Sequence, residues 1–558
     1  MAAPDKTHAD TAHDRIMADS LERDRVSRIS TDSMSPLLSP CPCPSASASA
    51  SQDAAMERDD GNGEGGQSRR DIDDAGLVRR IDVRILPLLF VTYMFNFMDK
   101  TILSAAAVFG LRHDTGLVGN QYAWVSSAFY LGYLLATYPA SLLVARLPVA
   151  RYLGANTLFW GAVVALTAAS RSFAALFVLR FLLGVAEAAV SPALVFLTST
   201  WYTRDEIPAR TGVWFAGNSA GGIVSSLLAY ALGHVRGPLG PWRAMFVVLG
   251  LATFLLGAVL LAFLPDSIAD ARFLAPDERR RAADRVVAAG LGSTAKTAWQ
   301  WCQARECLVD PKSWILFALA LLCQIPNGGT QNFANIVITS FGFSSLQSTL
   351  INIPYSVLSI ASIAGTGWAA GRFRSMHCIL IALVVLPPIV GSALISNRAA
   401  IPHGVSLFGY FLLASGPAAL PLLLSLVQSN FRGVTKKMTM TALLFVAYCA
   451  GNIAGPQLFI AAEAPTYDTA FRAILVCYSL VVGFSLVLRA YLGFVNRLRQ
   501  RREGVEGSAG ASGAVGGGKV VDVRLGRSGG DAVGETRLQP RDYEDVTDWN
   551  TFGFRYRL

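Results

Sequence analysis

The chain has 558 residues, of which 52% are hydrophobic and 16% charged, whereas a soluble domain carries about 25% charged residues. The charge is depleted from the middle: from about Ile85 to Gly493 the sequence is a succession of apolar runs of roughly 18–25 residues, each able at ~1.5 Å per residue to cross a ~30 Å hydrocarbon core. This composition excludes an ordinary soluble domain, and the net charge of +9 needs no nucleic acid when loops facing an anionic leaflet account for it.

Residues 1–76 are rich in Ser, Asp, Arg, Ala and Gly, with too little apolar surface to offset the entropy of ordering, and are expected to be a disordered tail. No apolar h-region with a cleavage site precedes the first run, so the first spanning helix is expected to act as the insertion signal. The runs give spans at 85–109, 121–144, 152–170, 173–200, 211–234 and 242–264, then 314–340, 347–370, 377–397, 404–430, 438–460 and 470–494. The expected architecture is an all-α membrane protein of about 12 transmembrane helices in two six-helix halves, 77–265 and 313–496, joined by a linker at 266–312. In the linker, APDERRRAADRVV starts like a capped helix, and QWCQARECLVDP would lie on the membrane surface through Trp299 and Trp301. Its Arg279, Arg280, Arg281 and Arg285 read as a solvated, lipid-facing surface. A second tail, 497–558, begins Gly-rich and ends in DYEDVTDWNTFGFRYRL.

Lys and Arg fall asymmetrically. Arg146, Arg151, Arg204, Arg210, Arg372, Arg374, Arg432, Lys436, Lys437 and the Arg497–Arg502 cluster lie in loops on one side, which the positive-inside rule makes cytosolic together with both termini. The eight cysteines are scattered, with neither zinc spacing nor a secreted disulfide framework, and read as small core residues or idle thiols. No metal or cofactor is expected, and no phosphate loop or nucleophile elbow suggests an enzyme.

FNFMDK, at Phe95 to Lys100, places two charges inside the first apolar run. An ionisable residue at that depth costs several kcal/mol, so it faces protein or water and is a functional candidate. Counting from Arg84 puts Asp99 and Lys100 roughly 22 Å from the cytosolic side, and Arg180 in the antiparallel fourth helix falls at a similar depth. Neighbouring residues point ~100° apart on a helix, which leaves Arg180 as the available partner for Asp99. Glu187, seven residues after Arg180, shares nearly its face, so the two would line one cavity wall at two depths.

In the seventh helix, CQIPNGGTQNFANIVI has Pro326, Gly328 and Gly329, expected to break the helix, followed by Asn327, Gln331 and Asn335 on one face with Asn332 to the side. Interrupted helices with freed backbone groups can build sites, so Asn327 and Gln331 are candidates for substrate contact or gating, with interhelical hydrogen bonding, the usual duty of amides in membranes, as the alternative. Asn452 and Gln457, beside a Gly-Pro bend in the eleventh helix, are further polar candidates. Trp124, Tyr130, Tyr133 and Tyr138 of the second helix read as interfacial or core residues, with stacking on a substrate ring as the sharper alternative. Gly217, Gly221 and Gly222 suit close packing of the fifth helix.

Two six-helix halves around a cytosolic linker resemble the major facilitator superfamily. The loop after the second helix, ARLPVARYLG, keeps only Arg146 and Arg151 of that superfamily's usual loop pattern, while GWAAGRF at 367–373 keeps more. The strings DKTILSAAAVFGLRHDTGLVGNQYAWVSSAFYLGYLLATYP, RFLLGVAEAAVSPALVFLTSTWYTRDEIPARTGVWF, FLPDS, DPKSW and IPNGGTQNFANIVITSFGFSSLQSTL resemble the fungal allantoate permease family of anion:cation symporters. The resemblance runs from about Ile81 to Arg502, and again over the closing VTDWNTFGFRYRL. It implies proton-coupled uptake of a small organic anion such as allantoate, nicotinate or pantothenate, at the plasma membrane of a fungal cell, by a monomer whose partners are substrate, protons and lipid.

Within the resemblance, Asp99 and Glu187 match the acids expected to couple protons, and Lys100 and Arg180 the cations expected to bind the anion. Asn327, Gln331, Asn335 and Asn452 would complete the substrate site. The four charges sum to zero when ionised, so proton uptake by either acid would leave the site attractive to a monocarboxylate. A transport-inactive nutrient sensor of the same fold and an exporter are the alternatives.

Overall fold

The computed structural model describes residues 65–203, 206–237, 239–288, 299–373, 376–397, 402–512, 547–549 and 555–558. Most of the expected N-terminal tail, and Cys41 and Cys43 with it, lies outside these residues. Every regular element among them is helical. Eleven helices are long and apolar enough to cross a membrane, and Pro311–Ser340 qualifies together with the preceding Trp301–Val309, from which it turns by 69°. Counting that pair as one crossing gives twelve, in the order the apolar runs predict.

The first span, Gly76–Asp114, continues a helix that begins at Gly65, so the last part of the expected tail is helical instead. A π-turn at Ala107–Leu111 interrupts it, with Gly110 at φ 104°, a conformation costly to any residue with a Cβ. Beyond the turn Asp114 accepts from Trp242 Nε1 at 2.9 Å and Arg243 Nη1 at 3.2 Å, tying the end of the first span to the start of the sixth.

Within the first half, the second span (Gln121–Val144) packs on the fourth (Phe173–Trp201), and the third (Val149–Thr167) on the sixth (Gly240–Phe263). Lipid tails are as apolar as the side chains, so close backbone approach takes the place of a hydrophobic driving force. Gly132 and Gly184 make that approach possible: a Cβ on Gly184 would lie 1.9 Å from the Phe129 carbonyl oxygen, and one on Gly132 would lie 2.1 Å from that of Phe181. In the second half, the seventh span packs along the eleventh (Val434–Gln457) with the same device. A Cβ on Gly455 would meet the Ile325 carbonyl at 2.2 Å.

Pro326, Gly328 and Gly329 do not break the seventh helix, which is continuous from Pro311 to Ser340. Gly328 and Gly329 serve the contact with the eleventh span, where a Cβ on Gly328 would lie 2.7 Å from Asn452 Cα.

The two halves meet at one end. Tyr122 Oη donates to the Asn332 carbonyl at 2.8 Å, Ser127 Oγ to Ile453 at 2.8 Å, and Ser345 Oγ to Val108 at 3.1 Å. Across the same seam the Asn335 N–H donates to Ser104 Oγ at 3.0 Å, and Gln457 Nε2 to Ser127 Oγ at 3.1 Å. The opposite end carries the basic loops and the linker. There Arg285 pairs with Glu206 at 3.1 Å and Arg210 with Asp82 at 3.2 Å.

The helices at Pro276–Ala288 and Trp301–Val309 are those the linker sequence predicts, and Trp299 and Trp301 are exposed. Its arginines are less free than expected, since Arg279 Nε donates to the Ala271 carbonyl at 2.8 Å and Arg285 is tied to Glu206. Cys307, Cys323, Cys378, Cys449 and Cys477 are free and buried, as small core residues should be, whereas Cys302 is disulfide-bonded.

The twelfth helix runs on to Ser512, well past the expected start of a tail at 497. Residues 547–549 and 555–558 return to pack against the second half.

Candidate functional site

Asn96, Asp99 and Lys100 sit on one stretch of the first span. Asn96 and Lys100 are four apart and share a face, while Asp99 is rotated ~100° from Lys100. That rotation separates the two charges as the sequence predicts and sends them to different neighbours.

The Lys100 ammonium donates to Asn96 Oδ1 at 2.9 Å and lies 3.5 Å from Glu187 Oε2, to which Asn96 Nδ2 also donates at 2.7 Å. Asn96, Lys100 and Glu187 thus form a closed polar triangle between the first and fourth spans. Glu187 is fully buried, whereas the Lys100 side chain keeps 16% of its surface and lies against the rings of Phe129 and Tyr133, at 5.6 and 6.0 Å. Lys100 is therefore the cation of this group that reaches accessible space.

Asp99 departs from the expected pairing. Its Oδ2 accepts from Trp160 Nε1 at 2.5 Å, and Arg180 binds not its carboxylate but its backbone carbonyl, through Nη1 at 3.1 Å. Arg180 is 2% exposed and its guanidinium lies 5.4 Å from the Phe246 ring centroid. Its Nε and Nη2, together with Asp99 Oδ1 and Glu187 Oε1, have no hydrogen-bond partner among the described residues. A buried ion left half-paired costs several kcal/mol and is seldom retained for packing alone. Trp160 and Asn96 were not singled out from the sequence, although the i, i+4 spacing of Asn96 from Lys100 offered a signal for the second.

The other half supplies amides. Asn327 Nδ2 donates to Gln324 Oε1 at 3.2 Å and to Asn452 Oδ1 at 3.3 Å, and Asn452 Nδ2 donates to Gln324 Oε1 at 3.1 Å and to the Tyr448 carbonyl at 2.8 Å. Asn452 is fully buried and serves the contact of the seventh and eleventh spans, while Asn327 and Gln331 are half-buried on the seventh. Asn335 is elsewhere: its amide meets that of Asn352 at 2.7 Å, and Tyr410 Oη donates to Asn352 Oδ1 at 2.7 Å. With Ser104 these residues form a polar chain through the seam between the halves, so Asn335 belongs to the closed end and not to the wall carrying Asn327.

Tyr130 and Tyr133 are buried, and Tyr130 meets Tyr448 of the eleventh span with ring centroids 6.0 Å apart. Trp124 and Tyr138 are exposed. A cavity of about 470 Å³ at the basic end, lined by Asp82, Glu206, Arg210 and Arg285 among others, includes none of the predicted site residues. Among the described residues no cluster of His, Cys, Asp or Glu could hold a metal ion.

The Major Facilitator Superfamily matches residues 89–456. An uncharacterized transporter of Schizosaccharomyces pombe is 33% identical over 86% of this chain and 89% of its own, and the allantoate permease of Saccharomyces cerevisiae is 32% identical over 77% and 80%. A bacterial homolog of the human lysosomal transporter Spinster superposes with a TM-score of 0.55 at 14% identity, covering 74% of this chain and 96% of the other. With eleven or twelve helices among the described residues able to cross a membrane and buried charge at the core of the first half, the chain is a membrane transporter of the major facilitator superfamily, belonging with the fungal transporters that include allantoate permease.

Proposed function

We propose that the chain imports a small organic anion by proton-coupled alternating access, with the basic end and both termini in the cytosol of a fungal cell. The observation that carries the reading is the pair of cations, Lys100 and Arg180, set against the buried acids Glu187 and Asp99. Lys100 reaches accessible space beside Glu187, and two guanidinium nitrogens of the buried Arg180, Nε and Nη2, have no partner among the described residues. A carboxylate substrate is the complement of such a group, because charge-assisted hydrogen bonds are the strong ones in a low-dielectric site. The relation to an allantoate permease supports the carboxylate class.

The chemistry follows from the triangle of Asn96, Lys100 and Glu187. With Glu187 ionised, Lys100 is neutralised at 3.5 Å and has little attraction left for a second anion. A proton on Glu187 removes that competition, and Lys100 becomes the contact for the substrate carboxylate. Asn96 can hold either form, since its amide donates to Glu187 and accepts from Lys100. Asp99 is the second proton candidate, oriented by Trp160. Asn327 and Gln331 on the facing half would read the polar part of the substrate, and Asn452 would position Asn327. Transport requires the seam at Tyr122, Ser127 and Asn335 to part as the halves rock, and the basic end to close.

The test is uptake of labelled allantoate, nicotinate, pantothenate and biotin by cells expressing the protein at their surface, at pH 5 and 7.5, with and without a protonophore. Accumulation of one carboxylate that is higher at pH 5 and collapses with the protonophore is the expected result. Accumulation indifferent to the proton gradient would overturn the coupling, and no accumulation of any carboxylate by correctly located protein would overturn import.

A further inference from the structure

A second cluster of buried ion pairs lies apart from the Lys100 and Glu187 group, at the basic end of the second half. Lys312 at the start of the seventh span and Lys436 at the start of the eleventh are 1% and 0% exposed. Two buried ammonium groups so close together need more than one counter-ion. The linker helix supplies Glu306, 2.6 Å from Lys436, and Asp310, 3.2 Å from Lys312 and 3.5 Å from Lys436. The third acid comes from the far end of the sequence: Asp548, fully buried, forms a close ion pair with Lys312 and lies 2.7 Å from Lys436. Arg499 of the twelfth span, donating to the Asp548 carbonyl at 3.0 Å and to Tyr556 Oη at 3.0 Å, brings the group to three cations and three acids.

Trp549 and residues 556–558 are held as a peptide ligand is held. Two asparagines each grip one residue by both backbone groups. Asn430 accepts from the Arg557 N–H at 2.7 Å and donates to its carbonyl at 2.9 Å, and Asn496 does the same for Tyr556, at 2.9 and 2.9 Å. The His377 N–H donates to the Leu558 carbonyl oxygen at 2.9 Å. Side chains add the specificity. Tyr556 Oη donates to Asp548 Oδ2 at 2.6 Å, Trp549 Nε1 donates to Asp310 Oδ2 at 3.0 Å, and Lys312 lies between the rings of Phe431 and Tyr556, at 4.4 and 4.2 Å. Backbone pairing for affinity and side-chain pockets for selectivity are the general features of peptide recognition.

We infer that the basic end of the second half is a built docking groove whose ligand is residues 547–549 and 555–558 of the chain itself. The contacts of residues 547–549 and 555–558 fall on Asp310 at the end of the linker helix and on the seventh, ninth, tenth, eleventh and twelfth spans, all on one side of the seam between halves. Docking therefore clamps the basic end of the second half into one body and fastens the linker helix to it, without opposing the rocking of one half on the other. This clamp is distinct from the charged group at Lys100 and Glu187, so it stands whatever the substrate.

The experiment starts from the full chain, folded and purified in detergent, with a protease site placed between residues 513 and 546. After cleavage, the expected result is that the piece carrying 547–558 stays with the bundle through gel filtration. It should be displaced by a synthetic peptide of residues 547–558 and at least about tenfold less readily by the same peptide carrying Asp548→Asn, since a buried charge pair then loses one member. The piece leaving the bundle on cleavage, or equal displacement by both peptides, would overturn the proposal. In a second arm, a chain ending at 546 should melt several degrees lower and recover its melting temperature on addition of the peptide. An unchanged melting temperature would contradict the clamp, and if that shorter chain fails to fold, the cleavage arm decides alone.

Discussion

Replacing Glu187 by Gln separates transport from packing at the charged core of the first half. The substitution keeps the shape and leaves Asn96 a partner, but it strips Lys100 of its counter-ion. Two unit charges 3.5 Å apart in surroundings of effective dielectric ~20 attract by roughly 5 kcal/mol, most of it cancelled by the cost of taking both ions out of water. Breaking such a pair from one side costs roughly 3–5 kcal/mol. Lys100 keeps some exposure and a bond to Asn96 Oδ1, so the expected loss is near the low end, about 3 kcal/mol, read as a melting temperature several degrees lower. In reconstituted vesicles the variant should lose accumulation driven by a proton gradient while still exchanging labelled for unlabelled substrate. The double change Lys100→Met with Glu187→Gln removes both charges and should recover most of the stability, but neither accumulation nor exchange. If the double variant recovers stability and accumulation together, the pair serves packing only, and the transport mechanism proposed above is wrong.

Gly184→Ala pushes a methyl to 1.9 Å from the Phe129 carbonyl, where backbone and not a movable side chain must yield, and should sharply reduce the folded fraction in fluorescence-detected gel filtration. A normal elution profile would mean that the second and fourth spans can separate freely. Ser104→Ala removes the acceptor for the Asn335 N–H in the seam and should speed labelling of a cysteine introduced at Gln331 by an impermeant reagent applied from the seam side; an unchanged rate argues that this bond does not hold the halves closed. At Asp548, burial alone would raise the carboxyl, but Lys312 and Lys436 overcome it and hold the pKa at about 2, against an ordinary 3.8. The sign follows from linkage: a depressed carboxyl contributes its full stability above the ordinary value and loses it as pH falls from there through about 2. Binding of the closing peptide should thus be flat from neutral pH to about 5 and weaken only below about 4, a fall that Asp548→Asn removes; a midpoint near neutrality would contradict the ion-pair geometry.

The crossings were legible because each is a local property: an apolar run long enough for the hydrocarbon core must be a helix, since no other open backbone is satisfied there. Lys100 and Glu187 were legible as candidates for the same reason, charge being costly at that depth wherever it occurs. The partners were not. Spacing placed Arg180 near Asp99 correctly, yet that the guanidinium meets the backbone carbonyl while Trp160, from a third span, takes Oδ2 is set by how three spans pack together. Asn335 has the same four-residue register as Asn327 and Gln331, and only the approach of the first and eighth spans assigns it to the seam. Pro326 and its glycines look like a break in one dimension, and in three they are the surface against which the eleventh span packs. The closing segment marks the limit most clearly. Asp548 and Lys312 are 236 residues apart, and no periodicity along the chain encodes a pairing that exists only once the spans have assembled a groove with two buried ammonium groups in need of a counter-charge.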